Sequence, residues 1–459
     1  MKKPSTIAPW AGIVLLSVLL GGTARAGLPQ EAPTPKRKLV LVLDGPPLEA
    51  PAEAKSLWRQ GALFLLHLLP DTLNLGITTA ADGGRVLLPG GVLTAAHRQR
   101  AVAELSRALP SGKSRPLLEL LHLVLEGLGP QEPEARALVV LTWGGGGGEA
   151  PPKKAPDPAQ DLEDLSDRCR RQGLPVYGVV CGSGKGPEAL GRIIAATGGG
   201  LWVAGDEAAL PRVLLELYTV LTHPPQAPVG DKGFLLDPLV TAAVVAAPRA
   251  VPNQPVLLTD PGGVPITPQT PLKTATWLSG STWDLAVLPQ PRTGWWTISR
   301  AQPGGVRVFL TTDLQLQSPW RYQEVGGDEA LGAAVTLKLR GEPWVPERGE
   351  PVVFQGILTF PGQPPVTIAL EPPGEDVAPL CPPGTWVGWF PPLSREGPAV
   401  LRLQALGKTF QRELALPLAL GPPWYRLTMA ASGGLHLLPV SPRPLHHLRG
   451  LARWTSPGG

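Results

Sequence analysis

Between residues 38 and 221, apolar strand-like runs alternate with helical segments, and this order allows few folds. The runs at 38–43, 137–142 and 176–181 are rich in Val and Leu, which is typical of strands buried on both faces. Helical patterns fall between such runs, at 52–69, 94–109, 116–128, 161–172, 188–196 and 207–221. This order predicts an α/β fold with an open, doubly wound, mostly parallel sheet and helices on both faces.

Two side chains stand where strands of this predicted sheet end. Asp44 closes the first run in KLVLVLDGPPLEA (38–50), and Trp143 follows the run at 137–142. Ligands bind such sheets beyond the carboxyl ends of the strands. An aspartate in that place is a candidate metal ligand or catalytic carboxylate. The other interpretation is a strand-end carboxylate bonded to nearby backbone N–H groups.

The pattern changes at His223, after which short alternating strands are separated by Pro and Gly. Their spacing near ten residues predicts β-sandwiches of the immunoglobulin-like kind, with a boundary near Pro319. The predicted organisation is a signal peptide at 1–26, a Pro-rich lead-in at 27–36, an α/β domain at 37–222, β-sandwiches at 226–318 and 319–420, and a tail at 421–459. Residues 424–440 of the tail are a candidate hairpin, and the last residues look irregular.

The N-terminus has the features of a secretory signal. Lys2 and Lys3 precede an apolar stretch at 13–20, and Ala24-Arg25-Ala26 fits a small-x-small cleavage pattern. Since the residue directly after the cleavage point is not a cysteine, a bacterial lipid anchor is not expected. We expect a secreted or periplasmic protein, or a membrane-anchored one if the signal is not cleaved.

Charge argues against some classes of partner. The formal net charge is +4, but without Lys2, Lys3 and Arg25 the remaining bases and acids nearly balance. A near-neutral mature chain is not expected to bind nucleic acid or an anionic membrane surface. No later segment has the pattern of a transmembrane helix.

The three cysteines are Cys169, Cys181 and Cys381. They are too few to be a disulfide framework for a chain of this length. Cys169 and Cys181 have two interpretations: a disulfide pair in an oxidising compartment, or small buried apolar residues.

Several segments together resemble one known family. LVLVLD is similar to the first strand and leading aspartate of von Willebrand factor A domains, and RALVVLTWGG (136–145) to the strand that usually ends in Thr-Asp-Gly. PVYGVVCGSG (175–184) resembles the next strand. The stretch 189–221, with a helix, Thr-Gly-Gly, a short aromatic strand and a final helix, resembles the close of this domain. The resemblance covers about residues 37–222 and implies a protein-binding module.

In that family, binding usually depends on a divalent cation held by Asp-x-Ser-x-Ser, a loop Thr and a loop Asp. Asp44 matches the leading aspartate and Ser114 the loop threonine, but Pro46 and Leu48 replace the serines and Trp143 replaces the second aspartate. Mg²⁺ requires oxygen ligands in a near-octahedral array. The resemblance therefore implies a degenerate metal site and a binding edge that includes Asp44, Ser114 and Trp143, with no metal and no cofactor.

Tryptophan is abundant in the second half, and six of the residues in the predicted sandwiches are considered as candidates: Trp277, Trp283, Trp295, Trp296, Trp386 and Trp389. Tryptophan pairs line some carbohydrate sites, although packing in the core or at an edge is the more common role. Carbohydrate binding is thus an alternative. GKS at 112–114 and GSGKG at 182–186 lack the full phosphate-loop spacing, and no G-x-S-x-G occurs.

The sequence accordingly predicts a non-catalytic adaptor of the cell envelope or extracellular space that binds protein partners through one edge of the α/β domain. The alternatives are a carbohydrate-binding envelope protein and a metal-dependent adhesin.

Overall fold

A computed structural model describes most of the chain. The described residues are 38–47, 49–71, 73–81, 83–107, 115–128, 136–144, 158–184, 186–270, 275–320, 324–326, 331–345, 351–375, 377–391, 397–421, 425–429 and 435–439. The predicted signal peptide and lead-in lie outside them. Residues 35–422 form one compact unit, and the described residues of the tail belong to another.

The first part of the large unit is an α/β layer. Its strands are β1 (Lys38–Asp44), β2 (Asn74–Thr79), β3 (Arg85–Val92), β4 (Arg136–Trp143), β5 (Val176–Cys181) and β6 (Leu201–Ala204). Its helices are α1 (Ala52–Leu68), α2 (Ala95–Arg107), α3 (Leu117–Gly127), α4 (Pro158–Arg171), α5 (Glu188–Thr197) and α6 (Ala209–Thr222). The strand order is β3-β2-β1-β4-β5-β6, with β3 antiparallel to β2 and the other neighbours parallel. The sheet is therefore doubly wound and mostly parallel, as predicted.

Both faces of this sheet are buried because its central strands β1, β4 and β5 are apolar at most positions. In β1, Leu41 and Leu43 face a core with α1, α2 and α6, whereas Val42 faces a second core with α3, α4 and α5. Successive side chains of a strand point to opposite faces, so a continuous apolar run supplies two cores at once. Because β1, β4, β5 and β6 run parallel, their carboxyl ends meet at one edge of the sheet.

The rest of the large unit is built from strands. These are β7 (Gln226–Ala227), β8 (Gly233–Leu236), β9 (Val240–Pro248), β10 (Leu257–Thr259), β11 (Pro265–Ile266), β12 (Thr276–Ser279), β13 (Trp283–Pro289), β14 (Gly294–Ser299), β15 (Arg307–Thr312), β16 (Leu314–Gln317), β17 (Glu324–Gly326), β18 (Gly332–Leu339), β19 (Glu342–Pro343), β20 (Val353–Thr359), β21 (Val366–Ala369), β22 (Thr385–Trp389), β23 (Gly397–Leu406) and β24 (Gln411–Gly421). A short 3₁₀ helix lies at Ala378–Leu380.

One large sheet runs through both predicted sandwich segments, in the order β12-β13-β9-β15-β7-β24-β23-β20-β21, with β17 beside β24. The sheet β11-β10-β14-β8 packs on its first half, and β16, β18, β19 and β22 pack on its second half. Two β-sandwiches thus share a sheet, and the two-residue strand β7 joins their halves by pairing with both β15 and β24.

The outer face of the large sheet closes the core of the α/β layer. Trp283 of β13 meets Phe64 of α1 edge to face, with ring centroids 4.8 Å apart. Phe309 of β15 meets Tyr218 of α6 in the same way at 4.9 Å. Because α1 and α6 lie between two sheets, they are apolar over most of their surface, and their buried residues belong to one cluster with those of β13 and β15.

The structure corrects one predicted helix boundary and adds strands that were not predicted. The predicted start of the last helix at Glu207 is wrong, since α6 begins at Ala209. Strand β3 extends past Pro89 to Val92, which a proline permits at a sheet edge because its missing N–H costs no ladder bond there. Strands β8 and β9 were not predicted, and β9 is central in the large sheet.

The described residues of the tail form an antiparallel pair, β25 (Tyr425–Met429) and β26 (Leu435–Pro439). Within the described parts of the chain, none of the helices has both the length and the apolar character needed to cross a bilayer.

Candidate functional site

We call the carboxyl ends of β1, β4, β5 and β6 and the loops that follow them the upper edge, comprising residues 44–47, 142–144, 181–184 and 204–207. Two of the three predicted site residues, Asp44 and Trp143, lie there. Ser114 lies outside the described residues, as does Leu48.

Asp44 is half-buried and hydrogen-bonded to the neighbouring strand. The register pairs Asp44 with Thr142, and the Thr142 hydroxyl donates to the Asp44 Oδ2 at 2.7 Å. Thr142 itself is buried. A carboxylate that accepts a bond from a fixed hydroxyl is oriented by it. This contact agrees with the interpretation of Asp44 as a strand-end carboxylate bonded to neighbouring groups, although its donor is a side chain rather than a backbone N–H.

The turn after Asp44 is held by helix α1. The buried indole of Trp58 lies beneath Gly45, and its Nε1 donates to the Leu141 carbonyl at 3.3 Å. Pro46 is buried and Pro47 is exposed. The first turn of the upper edge therefore has an apolar base and exposes a proline at its rim.

Trp143 is half-buried and packs on the turn after β5. Gly182 has a φ of +110°, and a Cβ there would lie 2.8 Å from the Trp143 ring. Backbone bonds continue along the edge: the Gly144 N–H donates to Cys181 at 2.9 Å, and the Gly182 N–H donates to Ala204 at 2.8 Å. The strand ends are thus joined in a line from β1 to β6.

The divalent cation implied by the family resemblance does not fit these side chains. Of the positions expected to supply oxygen, Pro46 is a buried apolar ring and Trp143 an indole packed against Gly182. Asp44 contributes one carboxylate, which already accepts the Thr142 bond. A hard cation needs about six oxygen ligands. Among the described residues, no group of three His, Cys, Asp or Glu side chains clusters as a metal site.

The structure decides between a disulfide and two buried thiols for Cys169 and Cys181. Cys169 and Cys181 are buried free thiols, and they lie in cores on opposite faces of the α/β sheet, so they do not form a disulfide. Burial raises the pKa of Cys169 to about 11 and that of Cys181 to about 12. Both are therefore protonated and unreactive at neutral pH.

Most of the tryptophans considered for carbohydrate binding pack within the protein. Trp283 and Trp296 are fully buried, and Trp386 stacks on Phe354 with centroids 4.4 Å apart. Trp295 and Trp389 are the exposed members of the set, at 44% and 45%. They belong to different sandwiches, so the six do not form one platform.

Sequence reasoning missed Thr142 and Glu207 as parts of the upper edge, and Trp58 as the residue beneath it. The position of Thr142 before Trp143 is the only sequence signal for its role, because its bond to Asp44 depends on the register between β1 and β4. Trp58 resembles any core residue of an apolar helix. Glu207 follows Asp206, and the side chain of Asp206, not of Glu207, caps α6 by accepting from the Ala209 N–H at 2.8 Å.

Comparison with known proteins gives structural neighbours only. No protein-family model matches the chain, and no curated protein matches it either. Among solved structures, a von Willebrand factor type A protein from Catenulispora acidiphila aligns with a TM-score of 0.34 and 14% identity, over 68% of this chain and 64% of that one. BatB from Bacteroides thetaiotaomicron, described as a conserved hypothetical protein, aligns with a TM-score of 0.31 and 14% identity, over 39% and 96%.

The SpRpn10 VWA domain aligns with a TM-score of 0.31 and 12% identity, over 40% of this chain and 95% of that domain. This chain spans less than two thirds of the length of the Catenulispora structure. All three scores and identities are low. The description of the fold therefore rests on the strand order and register of the chain itself.

Proposed function

We propose that this chain is a non-catalytic protein-binding adaptor whose von Willebrand A-like layer binds its partner at the upper edge without a metal ion. The observation that carries the proposal is the Asp44–Thr142 bond beside Trp143 and Pro46, because these side chains hold the strand ends in a fixed arrangement and do not supply the oxygen set that a cation needs. The resemblance of residues 37–222 to that family supports protein binding as the class of function.

The signal-like N-terminus supports a place of action outside the cytoplasm, in the cell envelope or extracellular space. Carbohydrate binding through the tryptophans has less support, since Trp283 and Trp296 are buried in the structure.

An arginine substitution at the upper edge and a control arginine substitution away from it test the proposal. Pro47 is exposed at the upper edge, and Glu126 is exposed in the last turn of α3, near the opposite edge of the sheet. Full-length protein is used as bait in crosslinking capture from an envelope fraction, with Pro47→Arg and Glu126→Arg as variants. We expect a partner that wild type and Glu126→Arg retain, that Pro47→Arg loses, and that chelator does not release.

Capture that is equal in all three proteins would overturn the upper edge as the binding surface. Titration calorimetry with Mg²⁺, Mn²⁺ and Ca²⁺ tests the metal-free part separately. A tight signal that disappears in Asp44→Ala would instead establish the metal-dependent adhesin.

A further inference from the structure

The turn between β12 and β13 of the first sandwich touches the upper edge at Glu207. The Ser281 hydroxyl donates to Glu207 Oε2 at 2.8 Å, the Ser281 N–H donates to Glu207 Oε1, and the Thr282 hydroxyl donates to the Glu207 carbonyl at 3.3 Å. Glu207 lies between the end of β6 and the start of α6. It remains outside the helix, where its carboxylate binds the sandwich.

The sandwich side of this contact is held rigidly. Arg249 donates its backbone N–H to the Thr282 carbonyl at 2.8 Å and its Nη1 to the Ser281 carbonyl at 3.3 Å. The next residue, Trp283, is 1% exposed and packs on Phe64. Hydrogen bonds to a charged acceptor are stronger than neutral ones, so the Glu207 carboxylate joins a fixed turn to the β6–α6 loop.

Gly280 shows how closely the two parts approach. A Cβ at this position would clash with Glu207 Oε1 and with Trp283 Nε1. The Trp283 Nε1 is buried and has no hydrogen-bond partner among the described residues. The contact thus requires a residue without a side chain at 280.

From Ala204, three residues before Glu207, hydrogen bonds run along the rest of the upper edge to Asp44. The end of β6 accepts from Gly182, the end of β5 accepts from Gly144, and Thr142, two residues earlier, donates to Asp44. We infer that Glu207 is a positioning residue: through Ser281 it fixes the β6–α6 loop against the first sandwich, and so keeps the loops of the upper edge in one arrangement. The sandwich is then part of the binding site's construction and not a separate module.

This inference rests on the proposed function for its biological meaning, but its test does not require a partner. Backbone hydrogen exchange is measured in the full-length protein for two variants. Glu207→Ala removes the carboxylate that accepts from Ser281. Gly280→Ala displaces that carboxylate and leaves both Glu207 and Ser281 in place. The controls are Glu216→Ala, which removes an exposed pair with Arg212 on α6, and Gly205→Ala, where a Cβ would contact nothing within 4 Å.

We expect the Gly182 and Gly144 amides to exchange about tenfold faster in both test variants, since a bond to a charged acceptor is lost, and to be unchanged in both controls. The Leu138 amide, which donates to Pro175 at the opposite edge, serves as an internal reference and should not change. Ser281→Ala removes one bond only and is used if either test variant fails to fold.

Faster exchange confined to residues 280–282 and the start of α6 would overturn the inference, as would equal acceleration at Gly182 and Leu138. Either result would leave the capture experiment with Pro47→Arg to decide the proposed function independently.

Discussion

Burial and hydrogen bonding shift the pKa of the Asp284 carboxyl in opposite directions. Its side chain is 2% exposed. Burial raises the pKa of this carboxyl, but five hydrogen bonds outweigh burial and hold the pKa below its ordinary value of 3.8. The donors are Arg249, which is bidentate at 2.7 and 2.8 Å, Ser279, Trp277 and the Val256 backbone. Asp284 therefore fixes the β12–β13 turn as an anion.

Asp284→Asn should destabilise the protein by about 3 kcal/mol, because it leaves the buried Arg249 without its counter-ion. The effect should also depend on pH. A carboxyl whose folded-state pKa is lowered contributes stability above its ordinary pKa, and this contribution is lost as pH falls through the lowered value. Denaturant unfolding at several acidic pH values should show a shallower loss of stability in Asp284→Asn than in wild type. Parallel pH profiles would show that Asp284 does not contribute in this way.

At the scale of elements, a buried ion pair joins the two sandwiches. Arg412 of β24 is fully buried and donates to Asp237, which follows β8, and also to the Leu314 carbonyl at 2.8 Å and the Thr312 hydroxyl at 3.0 Å. The contact connects both halves of the large sheet at the point where β7 is only two residues long. A buried ion pair of this kind fixes geometry more than it adds stability.

Asp237→Asn should cost about 3–5 kcal/mol in the free energy of unfolding, because Arg412 keeps a buried charge without a partner. The matched control is Asp313→Asn, which removes the exposed pair with Arg340 and should cost about 1 kcal/mol or less. Chemical denaturation of the full-length variants provides the comparison. Equal costs for the two substitutions would show that burial of the Arg412 pair has no special effect.

How far the sequence predicts these elements depends on the range of the interactions. In the α/β layer the period of the apolar residues is local, so β1, β4 and β5 were placed within a residue or two of their observed bounds. Strand β9 is rich in alanine, which has little preference for strands, and it forms because β13 and β15 pair with it from both sides. The Asp44–Thr142 and Glu207–Ser281 bonds depend on register and on packing between distant segments, and no local pattern specifies them.

At the scale of the whole molecule, the α/β layer and the first sandwich share a core. Helices α1 and α6 have one side on the α/β sheet and the other on β9, β13 and β15. An α/β layer without the sandwich would expose the apolar side that now meets Trp283 and Phe309. We therefore expect the two parts to unfold together.

Trp283→Ala should destabilise both parts by about 3–5 kcal/mol, since it opens a cavity beside Phe64 in their common core. Trp295→Ala, at an exposed position of β14, is the matched control and should have a small effect. Calorimetry with hydrogen exchange on α1 is the measurement. Two separate transitions, with only the sandwich shifted in Trp283→Ala, would contradict a shared core.

The pairing of β7 with β24 has a consequence for how the protein is made. Asp237 and Arg412, which lie beside this junction, are 175 residues apart in the chain. At ordinary rates of synthesis, roughly 10 to 35 s pass between the appearance of the first and the second. Throughout that interval β7 lacks its neighbour β24, and the large sheet is incomplete. Until β24 is made, the nascent chain has an open sheet edge. We expect a holding chaperone to increase the yield of folded protein most during this interval.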